Sequence, residues 1–292
     1  MQKILSDINL DEQLLKKGYV VVPFLTESEV TELVNFYYAN HGSVSEGMYA
    51  TAHVPDIDFR MKMNGFINQV FARAIDEVFV DCNALGGSFI AKGKGNKGTL
   101  HPHQDWNIVD EDQFRSFNIW VPLVDLHENN GAIKVLPESH AWLKTYRSAN
   151  ISSAYSEVND LLWEKTIPLY MKKGEALIYD HRLLHASGEN FTDEIRLAAV
   201  YGIIPQGAQL YYYHKIDDNT VQVFESHPDF FLKGNIFDGP KGLKSVRQFN
   251  HSFSVNKQDL LKLLGHEQAT VEKQPPAGGL WSRLKHLFSM AD

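Results

Sequence analysis

Hydrophobic positions along the chain change period once, and the change divides it into two styles of structure. Near the N-terminus the apolar residues recur at helical spacing. Asp11–Lys17 reads as a short helix, and the β-branched run Tyr19-Val20-Val21-Val22 after it reads as a strand that Pro23 ends. Thr26-Glu27-Ser28-Glu29 has capping-box spacing, and Val30, Leu33, Val34, Tyr37 and Tyr38 continue at helical period. A further helix is predicted over Phe66–Phe79, whose positions Phe66, Ile67, Val70, Phe71, Ala74 and Val78 share one face.

From about residue 86 the pattern turns to short apolar and β-branched runs separated by turn residues. Ser88–Ala91, Ser116–Leu123, Ala132–Leu136, Ala176–Tyr179 and Leu197–Ile204 read as strands, with Asn130-Gly131 and Lys173-Gly174 as turns. Helices first and strands afterwards, without alternation, predict an antiparallel sandwich or barrel carrying helices outside it. Residues 139–164 read as an insertion with helical patches, expected to act as a lid over one mouth. The expected organisation is one domain over residues 1–265 and a Pro/Gly-rich linker over 266–279. A short amphipathic helix over 280–292 follows, which could dock on the body, a partner or a membrane surface.

Composition narrows the class. The charge sum of 28 − 36 = −8 argues against a nucleic-acid binder relying on a broad basic face. The single cysteine, Cys82, excludes an internal disulfide framework and a Cys-rich metal site. The longest apolar stretch, Tyr19–Leu25, is far short of the roughly 20 residues that span a bilayer. The first residues carry no apolar signal-peptide core, so a cytoplasmic location is expected.

The 13 histidines carry the candidate chemistry. In His101-Pro102-His103-Gln104-Asp105-Trp106, residues two apart on a strand face the same way, so His103 and Asp105 can converge on one ion. An imidazole and a carboxylate are two-thirds of a 2-His-1-carboxylate triad, the open-faced ligand set of non-haem Fe(II). The distant histidine has two candidates, His181 and His185. As a helix the pair would imitate a zinc-peptidase motif, but Arg182 stands where the general-base glutamate belongs. On a strand the two would lie about 13 Å apart at ~3.3 Å per residue, so only one can be a ligand. Arg196 favours His185: the turn-like Asn190–Glu194 segment could return a strand that sets this guanidinium beside His185. With Ser187 it would suit a dicarboxylate.

His103-Gln104-Asp105-Trp106, Asn118-Ile119-Trp120-Val121-Pro122-Leu123-Val124-Asp125, and the run Asn130-Gly131-Ala132 through Pro137-Glu138-Ser139-His140 together resemble the phytanoyl-CoA dioxygenase-like family of iron- and 2-oxoglutarate-dependent oxygenases. Gly18–Leu25 resembles that family's first strand, and His185-Ala186-Ser187-Gly188-Glu189-Asn190 through Arg196 its distal histidine and 2-oxoglutarate arginine. The resemblance covers roughly residues 15–215. It implies a double-stranded β-helix (jelly-roll) barrel, mainly β with flanking helices. It further implies that His103, Asp105 and His185 hold Fe(II) and that Arg196 with Ser187 binds the far carboxylate of 2-oxoglutarate. Trp120, Asn118 and Lys92 would stand near that cosubstrate, and O2 would be the second. The activity implied is hydroxylation of an unactivated C–H in a small organic molecule, with release of succinate and CO2. Related halogenases replace the carboxylate ligand with a small residue, whereas Asp105 is kept. Glu138 departs from the family's pattern, in which a glycine precedes Ser-His. The alternatives are a metal barrel of other reactivity or a non-catalytic carboxylate binder. A cupin pattern is disfavoured because Asn107 and Ile108 stand where its glutamate belongs.

Overall fold

A computed structural model describes residues 2–42, 44–234 and 236–265; the expected linker and C-terminal helix lie outside the described residues. The chain begins with helix α1 (Ile8–Lys17), strand β1 (Tyr19–Pro23), helix α2 (Glu27–Asn40), strand β2 (Met48–Ala50) and helix α3 (Ile57–Val78). The Thr26/Glu29 capping box opens α2 as the sequence predicts. α3 starts nine residues before the predicted Phe66, capped by the Asp56 carboxylate on the Phe59 amide.

Strands then dominate: β3 (Cys82–Lys92), β4 (Leu100–His103), β5 (Phe117–Pro122) and β6 (Ile133–Val135). Helix α4 (Asn159–Lys165) precedes β7 (Ile167–Pro168), β8 (Glu175–Asp180), β9 (His185–Ser187) and β10 (Arg196–Pro205). The hairpin β11 (Leu210–Asp217) and β12 (Thr220–Ser226) follows, then α5 (Pro228–Lys233), β13 (Lys244–Asn250) and α6 (Lys257–Leu263). Among the described residues no helix is long and apolar enough to cross a membrane.

Three antiparallel sheets result. Six strands lie in the order β1-β8-β5-β10-β3-β2, four in the order β4-β9-β6-β7, and β11-β12-β13 form a third sheet. Side-chain alternation gives the six-stranded sheet two different faces. Phe117, Ile119, Val121, Ala176, Ile178, Leu197, Ala199 and Tyr201 join a core with Leu14, Leu33, Ile67, Phe71 and Ala74 of the helices. The opposite face contributes Trp120, Leu177, Tyr179 and Ala198, which pack against Ile133 and Val135 of the four-stranded sheet. These facing sheets are the jelly roll. Among the described residues they stay separate instead of closing into the expected barrel, held face to face by side chains.

Residues from 139–164 join a further cluster, in which Ala154, Tyr155, Val158 and Leu162 pack with Leu136, Leu184, Val255 and Leu260. Glu138 takes the left-handed conformation at φ 68°. A residue without Cβ would adopt this turn without strain, whereas Glu138 takes it with a side chain.

Candidate active site

Both histidines of the candidate triad come from the four-stranded sheet. His103 ends β4 directly opposite His185, the first residue of β9, and their ring centroids lie 4.2 Å apart. Asp105, two residues beyond β4, brings Oδ1 to 3.7 Å from His185 Nε2. One ligand atom from each of the three residues lies within 4.8 Å of the others. His185 is buried while His103 and Asp105 are partly exposed, so the site opens on their side.

The outer contacts decide which atoms face the ion. His103 Nδ1 lies 2.8 Å from the His101 carbonyl, and His185 Nδ1 lies 3.0 Å from the Leu183 carbonyl. A carbonyl only accepts, so each Nδ1 carries the proton and each Nε2 keeps its lone pair for a metal. Desolvation, then the neighbouring His185, pushes the His103 imidazole down to about 4, which keeps it neutral.

Asp105 is held at every polar atom but one. Its amide donates to the His181 carbonyl at 2.9 Å, and its carbonyl accepts from Arg147 Nε at 2.6 Å. Oδ2 accepts from Asn118 Nδ2 at 2.7 Å and from the Tyr179 hydroxyl at 2.9 Å. Desolvation would raise the Asp105 carboxyl, but His185, His181, His103 and the Tyr179 hydroxyl outweigh it and hold it down at about 2. Arg147 is fixed in turn by a buried two-pronged ion pair with Glu111, at 3.1 and 2.5 Å.

The second cluster lies on the inner face of the six-stranded sheet, where Arg196 of β10 pairs with Lys92 of β3. Arg196 is buried, its guanidinium 5.2 Å from the centre of the Trp120 ring, and Nη1 donates to the Gly131 carbonyl at 3.0 Å. Arg196 Nε is buried with no hydrogen-bond partner among the described residues. Lys92 is fully buried and donates to Ser187 Oγ at 2.7 Å, the Gly188 carbonyl at 2.6 Å and the Ser187 carbonyl at 3.3 Å. Burial, then the charge of Arg196, pushes the Lys92 ammonium down to about 6, and burial pushes Arg196 down to about 10. Among the described residues neither cation is paired with a carboxylate. Gly131, at φ 68°, permits the close approach: a Cβ there would meet the Gly188 carbonyl at 2.8 Å and Lys92 Cδ at 2.9 Å.

All eight residues singled out in the sequence therefore lie in this region, with two changes of detail. Asn118 reaches the carboxylate of Asp105. Arg196 does not return beside His185 on a hairpin; β10 crosses to the six-stranded sheet, and Arg196 approaches from the sheet facing β9. His181 stays outside the triad, its Nδ1 2.9 Å from Ser116 Oγ. His101 lies beside Trp163, ring centroids 6.0 Å apart, and His140 Nε2 is 3.0 Å from the Leu15 carbonyl. The sequence reading missed Tyr179, Arg147 and Glu111. Strand parity with Leu177 could have turned Tyr179 inward, whereas nothing local marks Arg147 or Glu111.

The phytanoyl-CoA dioxygenase family matches residues 14–198. Among curated relatives, peroxisomal phytanoyl-CoA dioxygenase from Mus musculus is 31% identical over 130 residues, covering 39% of this chain and 37% of that protein. Dioxygenase trt7 from Aspergillus terreus is 30% identical over 110 residues, covering 35% of this chain and 34% of that protein. The chain thus aligns with about a third of each of these two relatives' length. Of solved structures, the non-haem alpha-ketoglutarate-dependent epimerase SnoN of nogalamycin biosynthesis matches with TM-score 0.50 at 20% identity, over 81% of this chain and 92% of that one. The carbocyclase SnoK of the same biosynthesis matches with TM-score 0.50 at 15% identity, over 70% of this chain and 86% of that one. These two share its fold.

Proposed function

The chain belongs to the phytanoyl-CoA dioxygenase family, and from that premise we propose that it is an Fe(II)- and 2-oxoglutarate-dependent oxygenase that hydroxylates an unactivated C–H of a small organic substrate. One observation carries the proposal: a two-histidine, one-carboxylate donor set stands in the same inter-sheet space as two buried basic side chains that, among the described residues, lack a carboxylate partner. The donor set fits a divalent iron with open positions. The unpartnered Nε of Arg196 fits an incoming anion.

In this reading His103 Nε2, His185 Nε2 and Asp105 Oδ1 hold the iron. Arg196 and Ser187 bind the far carboxylate of 2-oxoglutarate, and Trp120 packs against the guanidinium. Lys92 gives Ser187 Oγ a proton to accept, which leaves the serine's own O–H to donate to the cosubstrate. Iron with 2-oxoglutarate and O2 supplies the oxidising chemistry, with succinate and CO2 as by-products. Burial of Arg196, Lys92 and Ser187 keeps water from the far carboxylate, where the Arg196 charge in a dry site binds more strongly than in solvent. Asp105 fills the position that a halide would need, so hydroxylation is the proposed outcome. Residues 139–164 supply Arg147 to the backbone of Asp105. We take that segment as the lid that shapes the substrate side.

The test is iron content together with 2-oxoglutarate-dependent succinate release in His185→Ala and His181→Ala. The first variant should lose both iron and turnover; the second should keep its iron. Retention of both by His185→Ala would overturn the ligand assignment. A substrate found by stimulated succinate release should gain one oxygen in mass, and a mass loss or an unchanged mass would instead indicate desaturation or rearrangement.

A further inference from the structure

We infer that Tyr179 is a positioning residue: with Asn118 it restricts Asp105 to ligation through one oxygen and keeps open the coordination position that a two-oxygen carboxylate would occupy. This rests on the metal reading of the triad proposed above.

The inference follows from accounting for each lone pair and each proton. A carboxylate oxygen has two lone-pair sites, and both sites of Asp105 Oδ2 are taken, one by Asn118 Nδ2 at 2.7 Å and one by the Tyr179 hydroxyl at 2.9 Å. The direction of the second bond is fixed by a third contact. Asn118 Nδ2 also donates to the Tyr179 oxygen, at 3.4 Å, so the phenol proton is the one that goes to Asp105. With the Asp105 amide and carbonyl also satisfied, only Oδ1 is left facing His185.

The two donors are built into the sheet. Asn118 of β5 and Tyr179 of β8 are directly opposed in the strand register, so they project from neighbouring points of one face. The Tyr179 ring lies 4.8 Å from the ring of His185 and is 3% exposed, in the inter-sheet cluster with Leu177 and Ala198. It cannot swing away without disturbing that core. The consequence is a coordination count. Three single-atom donors leave three of six octahedral positions, enough for a chelating 2-oxo acid and one further small ligand; a bidentate Asp105 leaves two.

Tyr179→Phe keeps the ring and removes only the hydroxyl. Its thermal unfolding should match that of the wild type, which shows that packing is intact. With Mn(II) as the probe metal, the variant should bind the ion at least as tightly as the wild type. Its water-proton relaxivity should drop by about a third, as three exchangeable positions become two. With 2-oxoglutarate bound, the wild type should keep the relaxivity of one exchangeable position and the variant should lose it, because a chelating 2-oxo acid takes both positions that a bidentate Asp105 leaves. Asn118→Ser, which removes the other donor, should move both readouts in the same direction. A Tyr179→Phe protein that binds Mn(II) with unchanged relaxivity, both without and with 2-oxoglutarate, would overturn the role of Tyr179 alone. A wild-type protein that takes up neither metal nor 2-oxoglutarate would overturn the proposed function, and this role with it.

Discussion

Lys92 and Arg196 face each other across β3 and β10 with, among the described residues, no carboxylate between them, and that pairing has a measurable consequence. Burial first, and Arg196 second, depress the Lys92 ammonium to about 6 in the free protein. A bound dicarboxylate favours the charged form, so above about pH 6 binding must be accompanied by proton uptake at Lys92. The sign follows from linkage: affinity for 2-oxoglutarate should fall as pH rises above about 6, by at most about tenfold per unit. Calorimetric titrations between pH 6 and 8 should show this slope in the wild type. Lys92→Met should bind more weakly with the slope removed, and an undiminished slope in that variant would place the titrating group elsewhere. Lys92 was legible only through the family resemblance, whereas Arg196 was also marked by its spacing to His185. Arg196 read in isolation suits a surface ion pair with Glu194 or Asp193, but Asp193 is paired with Lys94 and Arg196 is buried.

At the scale of the element, the turn from β8 to β9 decides where His185 stands. Asp180, at the end of β8, is 1% exposed and accepts from Arg115 Nε at 2.7 Å, Arg182 Nε at 3.0 Å and the Arg182 amide at 2.8 Å. Burial would raise its carboxyl, but the two guanidinium groups outweigh this and hold it well below the usual carboxylate range. A carboxyl depressed on folding stabilises at neutral pH, and that contribution is lost as pH falls below about 4. Asp180→Asn leaves both arginines without their charge partner and should cost about 3 kcal/mol by denaturant unfolding, with much less acid sensitivity remaining below pH 4. A variant as stable as the wild type at neutral pH would refute this account of the turn. The sequence shows such elements unevenly. β5, β8 and β10 carry apolar residues on both faces and read as continuous runs, because each is covered by helices on one side and the facing sheet on the other. β13 was not legible: Lys244–Gln248 are exposed, and the strand is held by its backbone pairing with β12. The first turns of α3, with Asp58, Arg60, Lys62 and Asn64, dilute the helical period although Asp56 is a sound cap.

At the scale of the molecule, the site exists because two sheets with different jobs face one another. The four-stranded sheet supplies both histidines and Ser187, while the six-stranded sheet supplies Lys92, Arg196 and the two donors to Asp105. His103 and Asp105 were legible from strand parity, and His185 from its spacing to Arg196 together with the family blocks. Arg147 was not, since it reaches the Asp105 carbonyl from 42 residues away and no periodicity encodes such a contact. The central claim is that the triad and the cation pair bind one iron and one 2-oxoglutarate together. It is tested most directly by anaerobic titration of the Fe(II)-loaded protein with 2-oxoglutarate, recording the visible metal-to-ligand charge-transfer absorption of a chelated 2-oxo acid. The wild type should develop the band to saturation at one equivalent, His185→Ala should develop none, and Arg196→Ala should keep its iron but need a far higher 2-oxoglutarate concentration. An iron-loaded wild-type protein that develops no band at saturating 2-oxoglutarate would contradict the account.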